Sequence, residues 1–349
     1  MSPSVRIVMI SSAVLLQACT AVEYYVQAIG GHLDVVSRAV AIDERLSDPR
    51  LSVALRDKLR RVKEIRDFAS RELALPDNGS YRSYAELERA FVLWNVFAAP
   101  EFSVKAVESC FPVAGCVGYR GYYREANARA YARSLQAEGY DVYVGGVPAY
   151  STLGWFDDPV LSTFIRYPEA ELARLIFHEL AHQVVYVKGD TVFNESFAVA
   201  VEQAGARRWL ARYGTQEQRK SYQVLQSRRR EFVALVLDYR DRLSASYEQP
   251  LDLDHKRREK ARLFARMRED YERLKSGWGG YSGFDRVFSQ GSNNALLASV
   301  NTYTKWVPAF RALLAGANGD LPRFYARVNE LARLDKQARE ERLAGLTGR

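Results

Sequence analysis

Histidine, cysteine and methionine are scarce in this chain of 349 residues, which holds four His, three Cys and three Met. So few thiols exclude a disulfide-stapled miniature fold and a multi-cysteine metal cluster. No apolar run is long enough to cross a bilayer. The best candidate, residues 7–16, is about half of the roughly 20 residues that a spanning helix needs. Internal repeats and long low-complexity tracts are missing too, which excludes a solenoid or array. A one-sided basic stripe is also lacking. The formal net charge of +8 comes largely from residues 216–276, where Arg and Lys alternate with Glu and Asp at helical spacing. That pattern reads as a solvated face, and nucleic acid is not an expected partner.

What is present is concentrated in one segment. His178 and His182 bracket Glu179 in LARLIFHELAHQVVYV, so two of the four histidines stand four residues apart. At 3.6 residues per turn they share one face of a helix and can reach a single ion. Glu195 follows in FNESFA, at the start of a second helix and in its first turn, and supplies the third ligand of a His2Glu set. A catalytic zinc takes three protein ligands and keeps one position open. Glu179, one position round from His178, is placed to act on a water as general base. A chance HExxH match in a solvated helix is the competing reading. Leu172, Leu175, Ile176, Leu180 and Val184 argue against it, because they surround the pair with apolar residues, and two imidazoles and a carboxylate buried without a cation would be costly. Ligand type favours Zn2+.

The N-terminus carries Arg6, the apolar run of residues 7–16, and then Leu16-Gln17-Ala18-Cys19. A run of that length suits the core of a signal peptide, and a small residue before Cys19 resembles a lipoprotein cleavage site. The expectation is a signal peptide over residues 1–18 and lipid attachment at Cys19, with Thr20 directing an outer-membrane lipoprotein that faces the periplasm. An ordinary secretory signal with a coincidental Cys is the alternative. Cys110 and Cys116 flank FPVAG and, in an oxidising compartment, most simply form one small-loop disulfide; two buried thiols are the alternative.

Residues 19–75 read as a helical region with an apolar face around Val35, Val36, Leu46, Leu51 and Leu59. LPDNGSYRSY is rich in turn formers and marks a boundary. Residues 76–215 hold the chemistry. Residues 216–349 form a helical region completing the site cleft, beginning with two long charged helices broken at Glu248-Gln249-Pro250. The expected class is mostly α with a small β-sheet (α+β). In DVYVGGVPAYSTLGWFDDP, Tyr140, Val142 and Val144 alternate with other positions, which predicts a short strand ending at Gly145-Gly146.

These strings also carry a family resemblance. YYVQAIGGHLDVV, WNVFAAPEFS, CFPVAGCVGYRGYY, DVYVGGVPAYSTLGWFDDP, LIFHELAHQVVYVKGDTVFNESFA and NNALLASVNTYTKWVPAF resemble a bacterial family of zinc-dependent lipoproteins described as aminopeptidases. That family is similar to gluzincins, which pair HExxH with a downstream Glu, although the gap to Glu195 is shorter here than in thermolysin-like sites. The resemblance implies a zincin-like catalytic core and peptide substrates. It implies that an edge strand ahead of the zinc helix pairs with the substrate backbone, so that Gly145 and Gly146 allow close approach; a structural turn is the alternative. It implies a Tyr that stabilises the oxyanion, with Tyr303 first and Tyr150 second among 21 tyrosines. It implies an acid that recognises a free amine, from Glu202, Asp157 or Asp158. Glu202 is equally placed to hold a ligand histidine. His32 reads as a local hydrogen-bonding residue, His255 as solvated, and Asp190 as a cap. A zinc endopeptidase of the envelope and a non-catalytic peptide-binding lipoprotein are the remaining functional alternatives.

Overall fold

Apolar residues at helical spacing dominate the chain, and the fold is mostly helical with sheets of two or three strands, an α+β arrangement. The computed structural model describes residues 23–111 and 115–347. The proposed lipid site Cys19 and the signal segment 1–18 lie outside the described residues.

In chain order, α1 covers residues 23–37. β1 (Ala39–Ala41), α2 (Ile42–Ser47), α3 (Val53–Leu73), β2 (Ser83–Ala85) and β3 (Leu93–Ala99) follow. Next come β4 (Ser109–Phe111), β5 (Gly115–Val117), β6 (Arg120–Tyr122), α4 (Glu125–Ala137), β7 (Asp141–Val147) and β8 (Val160–Leu161). The helices α5 (Glu169–Ala181), α6 (Thr191–Tyr213), α7 (Gln216–Tyr247), α8 (Leu253–Gly277) and α9 (Asp285–Phe288) continue the chain. It closes with α10 (Asn294–Thr304), α11 (Val307–Gly316), α12 (Leu321–Ala332) and α13 (Lys336–Gly345).

One apolar core joins the N-terminal helices, the α5–α6 pair and the C-terminal helices. Leu59 and Phe68 of α3, Phe177 of α5, Trp209 of α6 and Phe310 of α11 all belong to it. Between Phe193 and Ala206, helix α6 is buried on nearly every side, with Phe193, Ser196, Ala198 and Val201 covered alike, as a central helix must be. Gly205 is dictated by packing, because a Cβ there would lie 2.6 Å from the Phe177 ring. Pro250 breaks the charged stretch where expected, and α7 and α8 pack on each other around Val236 and Met267.

Strand β7 departs from expectation. It does not end at Gly145-Gly146 but runs through to Val147, because Gly145 and Gly146 pair with Asn95 and Trp94 of β3. A Cβ on Gly146 would meet the Phe91 ring at 2.4 Å, so packing demands this glycine. On the other edge of β7, the Gln290 side chain accepts from Val144 N and donates to Val144 O, and Asn293 Nδ2 donates to Val142 O. The C-terminal region thus covers part of the edge that a substrate strand would use.

Candidate metal centre and active site

Helices α5 and α6 run antiparallel, and their facing side chains form a polar ladder through an otherwise apolar interface. Glu195 and Glu202 are seven residues apart, two turns, so both point at α5. Glu195 Oε2 lies 3.2 Å from His178 Nε2, while Glu202 Oε2 lies 2.9 Å from His178 Nδ1. One imidazole is gripped at both nitrogens. One turn back along α5, Arg174 Nη1 donates to Glu202 at 2.5 Å, and Trp209 Nε1 donates to Glu169 at 2.9 Å.

His178, His182 and Glu195 are buried and converge. His182 Nε2 stands 3.3 Å from His178 Nε2 and 3.7 Å from Glu195 Oε2. Tetrahedral zinc with ligands at about 2.0–2.2 Å requires donors about 3.3–3.6 Å apart. The three donors already stand near that spacing, so the residues fit the ion. Two facing ring nitrogens at this distance need a proton or a cation between them. The carboxylate of Glu202 on Nδ1 directs the lone pair of His178 Nε2 inward, the usual arrangement behind a metal-binding His.

The loop 182–190 is tied down by local polar contacts. Helix α5 stops at Ala181, but His182 keeps helical dihedrals (φ −60°, ψ −22°) and so stays on the ligand face. Gln183 Oε1 accepts from Asn78 Nδ2 at 2.8 Å, and Gln183 Nε2 donates to Ser80 Oγ at 3.1 Å. Loop 76–80 is itself held by the fully buried Arg66, which donates to the carbonyls of Pro76, Asn78 and Ser80. At the other end, Asn194 forms a two-way amide pair with the Val187 backbone. Asp190 caps α6 by accepting from Phe193 N at 3.1 Å. Because the cap is Asp190, α6 begins at Thr191, and Glu195 sits in its second turn rather than its first.

Electrostatics match a cation-binding role. Burial opposes charge on Glu195, but the neighbouring His182 and His178 outweigh it and hold the carboxyl at about 2. Burial likewise opposes charge on Glu202, which Arg174 and His178 also bring to about 2. Burial resists protonation of His178, yet its bonds to Glu195 and Glu202 push it up to about 10. Two buried carboxylates therefore demand a positive charge between them. Glu179 is different: burial raises its pKa, against the lowering influence of the two histidines. A carboxyl raised by burial is the usual state of a general base.

Tyr303 is partly buried and close enough for its hydroxyl to feel the charges of Glu195 and Glu179. Helix α6 helps to place it, since Ser196 Oγ accepts from Trp306 N at 3.1 Å. The Tyr150 hydroxyl lies 2.8 Å from His32 Nδ1 and close to Asp158. His32 is therefore a long-range partner rather than a local one, because α1 packs against the loop after β7. His255 is exposed beside Asp252. Cys110 and Cys116 are bonded across the β4–β5 hairpin, which packs on the loop at Gly189.

Several residues of the site have no sequence signature. Tyr119 lies near Glu195, Tyr303 and Glu179, Tyr186 lies near Glu195, and Tyr81 lies near Glu179 and Asp158. Only the heptad spacing of Glu195 and Glu202 could have pointed to the helix-to-helix ladder.

Asp158 is buried. Its Oδ2 accepts from Thr152 N at 2.8 Å, and its Oδ1 has no partner. Burial, aided by the charge of Glu179, raises its pKa to about 7. An acid raised on folding favours the native state when protonated, so this contribution is lost as pH rises from the ordinary carboxyl range through about 7. Asp158→Asn should therefore gain melting temperature over the wild type at pH 8 and show little difference at pH 4. An equal offset at both values would refute the assignment.

A family model described as "Putative aminopeptidase" matches residues 23–343. Comparison with curated proteins and with solved structures returned no match. With the model covering nearly all of the described chain, and a buried His-His-Glu cluster able to hold a metal at its centre, the protein belongs to this aminopeptidase family.

Proposed function

We propose that the protein is a zinc-dependent peptidase that removes residues from the free N-terminus of peptides. The observation that carries this reading is the convergence of His178 Nε2, His182 Nε2 and Glu195 Oε2, donors 3.2–3.7 Å apart, beside the buried Glu179. These three residues would hold Zn2+, which when bound supplies Lewis-acid polarisation of a carbonyl and activation of water. Glu179 accepts the water proton on its carboxylate and returns it to the leaving amine. Glu202 and Arg174 orient His178 and keep its Nε2 lone pair directed at the ligand centre. Tyr303 donates its hydroxyl hydrogen to the oxygen that develops negative charge.

The exopeptidase choice rests on the family description and on Asp158. Of the acidic candidates, Glu202 is occupied by Arg174 and His178. Asp158 keeps one carboxylate oxygen unpartnered and lies near Glu179, so it is assigned to the substrate α-ammonium. Gly145 and Gly146 remain on the strand that would run beside the peptide. The envelope location through acylated Cys19 is part of the same proposal and rests on the N-terminal sequence.

The test is incubation with matched unblocked and N-acetylated peptides, with and without a zinc chelator. Cleavage confined to unblocked peptides, lost with chelator and restored by Zn2+, is the expected result. Equal cleavage of acetylated peptides overturns the exopeptidase assignment. A zinc-loaded protein that cleaves neither overturns the enzymatic reading.

A further inference from the structure

A second cleft lies beside α6, close to Glu202 through Tyr222, and is built from residues that the peptidase reading does not use. It is a solvent-open cleft of about 330 Å³ between α6, α7 and α11, at whose rim Arg207, Arg219 and Arg230 are exposed while Arg311 is half-buried. Four arginines line it: Arg207 from α6, Arg219 and Arg230 from α7, and Arg311 from α11. Elsewhere on α6 and α7, Arg212, Arg229, Arg240 and Arg242 each face a carboxylate; the four arginines of the cleft do not. Among the described residues, none of them forms an ion pair, although Arg174 and Arg229 nearby are paired with Glu171 and Glu202. Arg311 is bound only by the neutral Gln203, through Nε at 3.0 Å and Nη2 at 2.5 Å. Arg219 donates to the carbonyls of Leu210 and Gly214. Burial lowers the pKa of Arg311, and the charges of Arg207 and Arg230 lower it further.

Two neutral donors complete the lining. The Tyr222 hydroxyl and Gln226 Nε2 are buried and have no hydrogen-bond partner. A buried donor without a partner costs free energy, and Arg207 and Arg230 place like charge beside Arg311. Both costs are removed by one kind of occupant, a compact anion with several acceptor oxygens. Guanidinium forks match phosphate oxygens two at a time. The volume is roughly ten times the ~30 Å³ share of a water molecule, which suits a phosphate ester or diphosphate and is too small for a nucleic-acid strand.

We propose that the cleft formed by Arg207, Arg219, Arg230 and Arg311 binds a phosphate-bearing ligand. Its chemistry is independent of the zinc site, although Gln203 adjoins Glu202 on α6. Bound phosphate would join α6, α7 and α11 through shared hydrogen bonds.

The test is isothermal titration of the zinc-loaded full chain with inorganic phosphate and with pyrophosphate, at constant ionic strength against chloride. A parallel arm uses phosphatidylglycerol vesicles against phosphatidylcholine vesicles. Saturable binding should weaken by about tenfold to a hundredfold in Arg230→Gln and in Arg311→Gln, the loss of one charge-assisted hydrogen-bonding group. Tyr222→Phe should weaken it less, and Arg268→Gln, on the exposed face of α8, should leave it unchanged. Without phosphate, Arg230→Gln should melt no lower than the wild type, since it relieves repulsion. Binding of soluble phosphate identifies a small-molecule ligand; binding only of anionic vesicles, lost in the same variants, identifies a lipid phosphate. No binding in either arm, or binding undiminished by both arginine substitutions, overturns the proposal.

Discussion

Glu179→Gln should lower kcat for peptide hydrolysis by ~10²–10⁴-fold, the range for loss of a positioned general base, while leaving one zinc per chain. The amide is nearly isosteric, so neither the apolar packing around α5 nor the ligand triad is disturbed. What disappears is the proton acceptor. Glu179 is buried beside both histidines, and no solvent-exposed carboxylate can replace it. Glu195→Gln should behave differently, losing metal as well as activity, because it removes the anionic ligand that faces both Nε2 atoms. Metal content measured by mass spectrometry, beside kcat, separates the two cases. If Glu179→Gln retains wild-type turnover, the base assignment fails even with zinc in place.

Arg339→Ala should destabilise the fold by about 3–5 kcal/mol, the cost of breaking a buried ion pair from one side. Arg339 is on α13, and its Nη2 and Nε lie 2.8 and 2.9 Å from Asp190 Oδ2. Both residues are buried. Asp190 also caps α6 through its other oxygen, so the last helix of the chain anchors the first turn of the helix that carries Glu195. Asp190→Ala should cost as much or more, since it adds loss of the cap, worth about 0.5–2 kcal/mol. The double variant should lose clearly less than the sum of the two, because no buried charge is left unpaired. Chemical denaturation of all four proteins measures this, and strict additivity would show that the pair is not coupled. Arg339→Ala should also weaken zinc affinity, as the start of α6 loosens.

The cluster of His178, His182 and Glu195, which could hold a metal, was legible because the relation of the two histidines is local. His178 and His182 are one helical turn apart, and any helix through them puts both rings on one face. The break at Pro250, the mostly helical class and the capping Asp190 were legible for similar reasons, since each depends on residues a few positions away. The extent of β7 was not. Two adjacent glycines read as a strand end, but pairing with β3 carried the strand through them, and Phe91 from elsewhere in the chain explains why glycine is there. His32 misled in the same way: its partner Tyr150 is 118 residues distant.

By itself the sequence determined which chemistry the protein can support: two imidazoles and a carboxylate at spacings that suit one cation, with a base beside them. Tertiary structure alone decided what surrounds that set. Glu202 was assigned to His178 and Arg174 by the antiparallel packing of α5 on α6, Tyr303 was brought close to Glu195 and Glu179 by helices more than a hundred residues downstream, and Arg339 was joined to Asp190 across 149 positions. The physical reason is that helix periodicity specifies neighbours within a turn or two. Contacts between helices depend on which apolar faces bury one another, and no local spacing encodes that choice.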